Sequence, residues 1–172
     1  MAMNYNDWEK SVPDTLRADG LWRIKAYRLG LFVGDIGWHD VSKLAQDART
    51  RSVADQLYRS LGSITANLAE GYSYSTGGNR ARMFEYALGS ARESREWYYK
   101  GRHALGETVM LHRLQILSEV FRLLLTMIPE QREHERIRPL HEPAVVYQVE
   151  TAVTLPPLTE DELIALLNHI PY

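Results

Sequence analysis

The chain has 172 residues, 45% of them hydrophobic, with 20 Lys+Arg against 22 Asp+Glu and no cysteine. That length and apolar content suit one domain with a continuous core, and the missing cysteines exclude a disulfide framework and a thiolate metal site. The longest apolar region, 111–128, is interrupted by Arg113, Gln115, Glu119 and Arg122, which excludes a membrane span, and the first residues show no charged-then-apolar leader pattern. A soluble cytoplasmic protein is expected.

The net charge of −2 is unevenly spread: residues 1–129 hold 17 Lys+Arg and 14 Asp+Glu, whereas residues 130–172 hold 3 and 8. A mildly basic body with an acidic tail suits weak polyanion binding or a tail that covers a neighbouring subunit. The whole-chain pI near 6.3 lies below the value of about 9 typical of a dedicated nucleic-acid binding domain.

In chain order, Leu16, Leu21, Ile24, Leu29 and Phe32 predict a first helix opened by Pro13-Asp14-Thr15. Gly34, Gly37 and Trp38-His39-Asp40 then predict an irregular link, with a short helical piece over 42–47. Val53, Leu57, Leu61, Ile64 and Leu68 share one face and predict a second helix over about 52–70, capped by Gly71. A polar loop over 73–79 leads to a third helix over about 80–104, and Gly106 marks a turn. A fourth helix carries Val109, Leu114, Leu117, Phe121, Leu124 and Ile128 and ends at Pro129. Short links between long helices favour neighbours of opposite direction, hence an all-α, antiparallel up-down four-helix bundle in 1–129. Residues 130–172 are expected to form an acidic C-terminal arm, with extended chain at 145–155, a break at Pro156-Pro157, and a short terminal helix opened by the capping-box pair Thr159 and Glu162.

Two sets of side chains carry the functional reading. Gln56, Ser63, Asn67 and Glu70 form a polar row beside the apolar face of the second helix, and Tyr86, Gly89, Ser90, Glu93 and Trp97 group on the third. In the scaffolding reading Asn67 and Glu70 satisfy helix ends or bond across to Ser90 and Glu93. In the chemical reading Asn67, Glu70 and Glu93 form a ligand or acid–base cluster, without a histidine, cysteine or lysine in the row. The third helix also bears Arg80, Arg82, Arg92, Arg95, Lys100 and Arg102. Arg82 and Lys100 coincide on the helical wheel while Arg95 and Arg102 fall nearly opposite, and Glu85, Glu93 and Glu96 dilute the charge, so a solvated mixed-charge surface competes with a weak RNA strip. Arg80 and Arg82, beside Gly77-Gly78-Asn79 at a helix N-terminus, are the best placed to face an anion. Tyr72 and Tyr74 are suited to stacking on bases.

No Glu-x-x-His pair supports a di-iron bundle, and no protease, hydrolase or phosphate-loop signature occurs. No catalytic residue, metal or cofactor is therefore expected.

Ala66-Asn67, Ala69-Glu70-Gly71 and Ala87-Leu88-Gly89-Ser90-Ala91, in that order about one helix apart, resemble the four-helix-bundle proteins encoded in intervening sequences of large-subunit ribosomal RNA genes. That superfamily also contains the accessory variability protein of diversity-generating retroelements. The resemblance covers about 16–128. It implies a homo-oligomeric ring, most often a homopentamer, without enzymatic activity, acting as an RNA-binding or reverse-transcriptase accessory module. The alternative is a scaffold whose arm, 139–172, engages a protein partner or neighbouring subunit with no nucleic-acid role.

Overall fold

A computed structural model of the protein describes residues 4–136 and 158–171. Its elements are α1 (Tyr5–Ser11), α2 (Asp14–Arg17), a 3-10 turn (Gly20–Arg23), α3 (Lys25–Leu44), α4 (Arg51–Ser73), α5 (Gly77–Leu105), α6 (Glu107–Arg136) and α7 (Glu160–Asn168). The all-α expectation holds, with no strand among the described residues.

The first helix is not where apolar spacing alone puts it. The chain before Lys25 is broken into three short pieces, two of them opened by a side-chain cap: Asn4 accepts from the Asp7 N–H at 2.9 Å and Asp19 from the Leu21 N–H at 2.8 Å. Their purpose is packing, since Trp8 is buried against the rings of Tyr5, Trp22 and Phe32. The expected link at Gly34 to Asp40 and the separate piece at 42–47 are also corrected, because α3 runs without interruption through both glycines to Leu44. Leu29, Phe32, Val33, Ile36, Val41 and Leu44 are buried at helical spacing, and that burial outweighs the roughly 1 kcal/mol each interior glycine costs. Gly30 and Gly37 are sites of close approach: a Cβ at Gly30 would lie 2.8 Å from Thr65 Cγ2, and one at Gly37 would lie 2.6 Å from Leu61 Cδ1.

The later helices are longer than expected. Gly71 is not a cap but a helical residue inside α4, packed where a Cβ would meet Phe84 Cε1 at 2.8 Å and Met83 Cβ at 2.9 Å. The turn at Gly106 is confirmed, with φ at 95°, a conformation that costs glycine little. Pro129 does not end α6, which continues to Arg136. The proline removes one backbone donor, but the following turn is held to α5 by Arg80 Nη1 donating to Gln131 Oε1 at 3.0 Å and by an Arg132–Glu85 ion pair. The extended chain expected at 145–155 and the break at Pro156-Pro157 lie outside the described residues. Thr159 and Glu162 do form a capping box at the start of α7.

Contacts between successive long helices run in reversed order. Gly30 meets Ile64 and Gly37 meets Leu61; Ser60 Oγ lies 2.9 Å from Ser94 Oγ while Gly71 meets Phe84; Arg80 reaches Gln131 and Arg92 lies over Phe121. The core between these helices includes Leu57, Ile64, Leu68, Ala87, Ile116 and Leu124, all fully buried. α7 seats Leu163 and Leu167 into the same core cluster on the side of α1 and α6, and Ile170 just after it joins them.

Glycines with and without neighbours give opposite outcomes on substitution. Gly71→Val should lower the unfolding free energy by about 1–3 kcal/mol through overpacking. Gly62→Ala, where added atoms meet nothing within 4 Å, should raise it by up to about 1 kcal/mol. Urea titration of both variants checks the pair of signs.

Candidate nucleic-acid interface and a buried polar lock

α5 carries the six cations singled out from sequence, and packing divides them. Its core side holds Phe84, Ala87, Ala91 and Tyr98, leaving two rows toward solvent. One row contains Arg82, Tyr86, Gly89, Glu93, Trp97 and Lys100. Here every charge has a local partner: Arg82 Nε donates to Tyr86 OH at 3.0 Å, Lys100 pairs with Glu96 at 2.6 Å, and Glu93 accepts from Trp97 Nε1 at 3.0 Å. Arg80, expected to face an anion, instead ties the α4–α5 turn, donating to Gln131 and to the Tyr74 carbonyl at 2.8 Å.

The other row, at the seam between α5 and α6, contains Arg92, Arg95, Tyr99 and Arg102. Arg92 and Arg95 both lie over the Phe121 ring, at 4.9 and 5.7 Å from its centroid. Arg102 lies 4.0 Å from the Tyr99 ring centroid and donates to the Tyr99 carbonyl at 2.7 Å. None of these three arginines has a carboxylate partner among the described residues. Arg95 Nε is buried without a hydrogen-bond partner, and burial, then the neighbouring Arg92, lower its pKa. A desolvated cation without a counter-charge is held at a cost that a bound anion would relieve.

Two members of the polar row of α4 have local partners, one within the helix and one at its C-cap. Asn67 Nδ2 donates to the Ser63 carbonyl at 2.8 Å, and Glu70 accepts from Tyr74 OH at 3.1 Å. On α5, Ser90 Oγ donates to the Tyr86 carbonyl at 3.0 Å. Gln56 is half-buried on α4. The polar bond that does cross between α4 and α5 is Ser60 to Ser94, both buried. With Ser60 opposite Ser94 and Gly71 opposite Phe84, Glu70 and Glu93 lie about nine residues, or ~13 Å, apart along the helices, so the two carboxylates do not share a site.

Sequence reasoning missed the cluster with the strongest electrostatics. Arg113, fully buried on α6, donates through Nε to Asp40 Oδ2 at 2.8 Å and through Nη2 to Asp40 Oδ1 at 3.2 Å. Tyr98 OH donates to the same Asp40 Oδ2 at 2.9 Å. Arg113 Nη2 also donates to the Pro171 carbonyl at 3.1 Å, and Nη1 lies 2.8 Å from His112 Nδ1. Because a guanidinium only donates, His112 Nδ1 must accept. Its proton therefore sits on Nε2, which donates to the Leu166 carbonyl at 2.7 Å. Burial, reinforced by the Arg113 charge, pulls the His112 pKa down to about 4, and burial followed by the Asp40 charge raises that of Tyr98 well above its usual value. The group fixes the ends of α3, α5 and α6 to the segment carrying α7. The signal was present in the sequence: Asp40 continues the apolar stripe of Val33, Ile36 and Leu44, and Arg113 interrupts that of Met110, Ile116 and Leu117. Opposite charges on two buried stripes call for each other.

These features describe an all-helical protein with a polar lock at one end and a cationic aromatic seam on its side. Among the described residues no group of three or more histidine or carboxylate side chains is placed to hold a metal, and no helix is long and apolar enough to cross a membrane. The model of the 23S rRNA-intervening sequence protein family matches residues 36–124, and the chain belongs to that family. No curated protein and no solved structure matches the chain. The family match runs from within α3 to within α6 and so includes Asp40, Tyr98, His112, Arg113 and the whole seam.

The lock makes two predictions. Arg113→Met strands the Asp40 carboxylate and should cost about 3–5 kcal/mol in urea unfolding, with much of the loss recovered when Asp40→Leu is added. For His112, the folded pKa of about 4 lies below the ordinary 6.5, so the unfolded chain takes up its proton first as pH falls. Its contribution should be constant above pH 6.5 and decline by about 1–3 kcal/mol between pH 6.5 and 4. Comparing the pH dependence of unfolding with that of His112→Gln isolates this contribution from the carboxylates.

Proposed function

We propose that this protein is a non-catalytic RNA-associated module: an antiparallel up-down bundle of α3 to α6 that assembles into a homo-oligomeric ring in the cytoplasm and presents its α5–α6 seam to RNA or to a nucleic-acid enzyme such as a reverse transcriptase. The reversed contact order between successive long helices supports the bundle topology. The observation that carries the functional reading is the row Arg92, Arg95, Tyr99 and Arg102, three guanidiniums without carboxylate partners among the described residues, two over the buried Phe121 ring and one beside the exposed Tyr99 ring. Guanidiniums match phosphate geometry, and an aromatic ring beside them is the arrangement that single-stranded RNA uses for stacking. Assembly is supported by large aromatic side chains on an outer face away from the seam: Trp38 and Tyr58 are each more than half exposed and form an edge-on pair. Repetition around a ring turns a modest patch into several simultaneous contacts.

A scaffold reading is favoured by one feature, the acidic first turn of α7 formed by Glu160, Asp161 and Glu162, all exposed. That turn suits a basic protein partner.

The RNA reading is tested by anisotropy of a labelled single-stranded RNA across a salt series. Replacing Arg92, Arg95 and Arg102 together by Gln should reduce the salt slope by about 2, near 0.7 for each phosphate that the protein no longer neutralises, with unchanged melting. Equal binding and equal slope would remove the seam from the account. Binding by neither protein, together with capture of a basic partner that requires α7, would install the scaffold reading.

A further inference from the structure

The turn between α4 and α5 encloses an open cleft of about 270 Å³ lined by Glu70, Tyr74, Asn79, Arg82, Met83 and Tyr86. We propose that this cleft binds a nucleobase bearing an exocyclic amino group together with its attached phosphate, an adenine nucleotide being the simplest case. The site deepens the RNA-associated reading and rests on it for its biological source, while its binding chemistry stands on the cleft itself.

Each part of such a ligand has a matching group. Tyr74 and Tyr86 are 38% and 48% exposed and supply two ring faces, one from the end of α4 and one from α5, with the Met83 thioether in the same lining. Stacking accepts any base, so it gives affinity without choice. Choice comes from the polar edge. Glu70 Oε1 accepts from Tyr74 OH, which leaves Oε2 to accept from an exocyclic amine. The Asn79 amide has no hydrogen bond among the described residues, and it offers both a donor and an acceptor to a base edge.

The phosphate position is set by Arg82. Its Nε is held by Tyr86 OH at 3.0 Å with the guanidinium 5.7 Å from the Tyr86 centroid, and it has no carboxylate partner among the described residues. The guanidinium is thus oriented while its terminal nitrogens remain available. The first turn of the 29-residue α5 adds to this, because Thr76 makes no side-chain cap and the N–H groups of Gly77, Gly78 and Asn79 open toward the same end. Arg80, bonded to the Tyr74 carbonyl and to Gln131, holds the turn in place, so the cleft is formed before a ligand arrives.

The test uses the full chain with ¹³C-labelled tyrosine rings, with the Tyr74 and Tyr86 resonances assigned by Tyr→Phe variants, and titrates AMP, UMP and two RNA decamers, all-adenine and abasic. AMP should shift both resonances, with UMP about fivefold weaker for want of the amine. Tyr86→Leu and Arg82→Gln should each weaken AMP by about five- to tenfold with unchanged melting, since both side chains are exposed. A decamer that competes with AMP and loses its advantage over the abasic strand in Tyr86→Leu identifies the source as single-stranded RNA. AMP binding without decamer binding supports the cleft, assigns a free nucleotide and removes the RNA reading. No tyrosine shift with AMP, while the decamer still binds at the seam, overturns the cleft alone; no binding of either overturns both. UMP equal to AMP overturns amine recognition by Glu70.

Discussion

Arg113 and Asp40 are opposite charges placed where water does not reach, and the geometry of one end of the molecule follows from that choice. Removing both ions from water is costly, so a buried pair adds little net stability over a well-packed apolar pair of the same volume. Its contribution is directional. The bidentate contact fixes how α3 meets α6, the Tyr98 hydroxyl on the same carboxylate oxygen adds α5, and the remaining Arg113 donors reach the Pro171 carbonyl and the His112 ring. Hydrophobic burial determines that these helices associate, and the polar cluster determines their relative rotation and where the C-terminal segment sits.

The two ends of the helical body are consequently unlike. The lock gathers its polar atoms into mutual hydrogen bonds. The opposite end, at the α4–α5 turn, is polar and open, with side chains held in place but not fully engaged. Between them α5 has a buried side of small and aromatic residues and two outward rows, one in which Lys100 is paired with Glu96 and Arg82 is held by the Tyr86 hydroxyl, and one whose arginines have no carboxylate partner among the described residues. A single helix therefore packs the core, borders the cleft and carries the seam. Gly71 of α4 meets Phe84 and Met83 of α5 where a side chain would not fit, and Ala81, Ala87 and Ala91 are buried on α5.

The all-α class, the second, third and fourth helices, the turn at Gly106 and the capping box at Thr159 were legible in the sequence, because periodicity and caps are local signals. The N-terminal region was not. Its glycines at 30, 34 and 37 look like breakers, and only the facing residues Leu61, Ile64 and Thr65 explain two of them as close-approach positions. Pro129 misled for the same reason, since the groups that carry α6 past it, Glu85 and Gln131, sit on a different helix or beyond the break. For the functional surface, the helical wheel correctly separated Arg82 and Lys100 from Arg95 and Arg102. What it could not weigh was pairing: Lys100 has Glu96 beside it, whereas Arg92 and Arg95 have Phe121 from α6 and Arg102 has Tyr99. The polar row at Asn67 and Glu70 was visible, but its partners within α4 were not distinguishable from partners across the helix interface.

The family match spans residues 36–124 and so covers both the seam and the Asp40–Tyr98–His112–Arg113 cluster. The central structural claim is that Arg113 couples the tail to the helix ends, and native-state hydrogen exchange of Arg113→Lys tests it most directly. Lysine keeps the charge but loses the bidentate fork. The account predicts that amides of α7, the last turns of α3 and the first turns of α6 lose protection together, while those around Gly71 and Phe84 keep theirs. Undiminished protection in α7, or an equal loss in every helix, would contradict it.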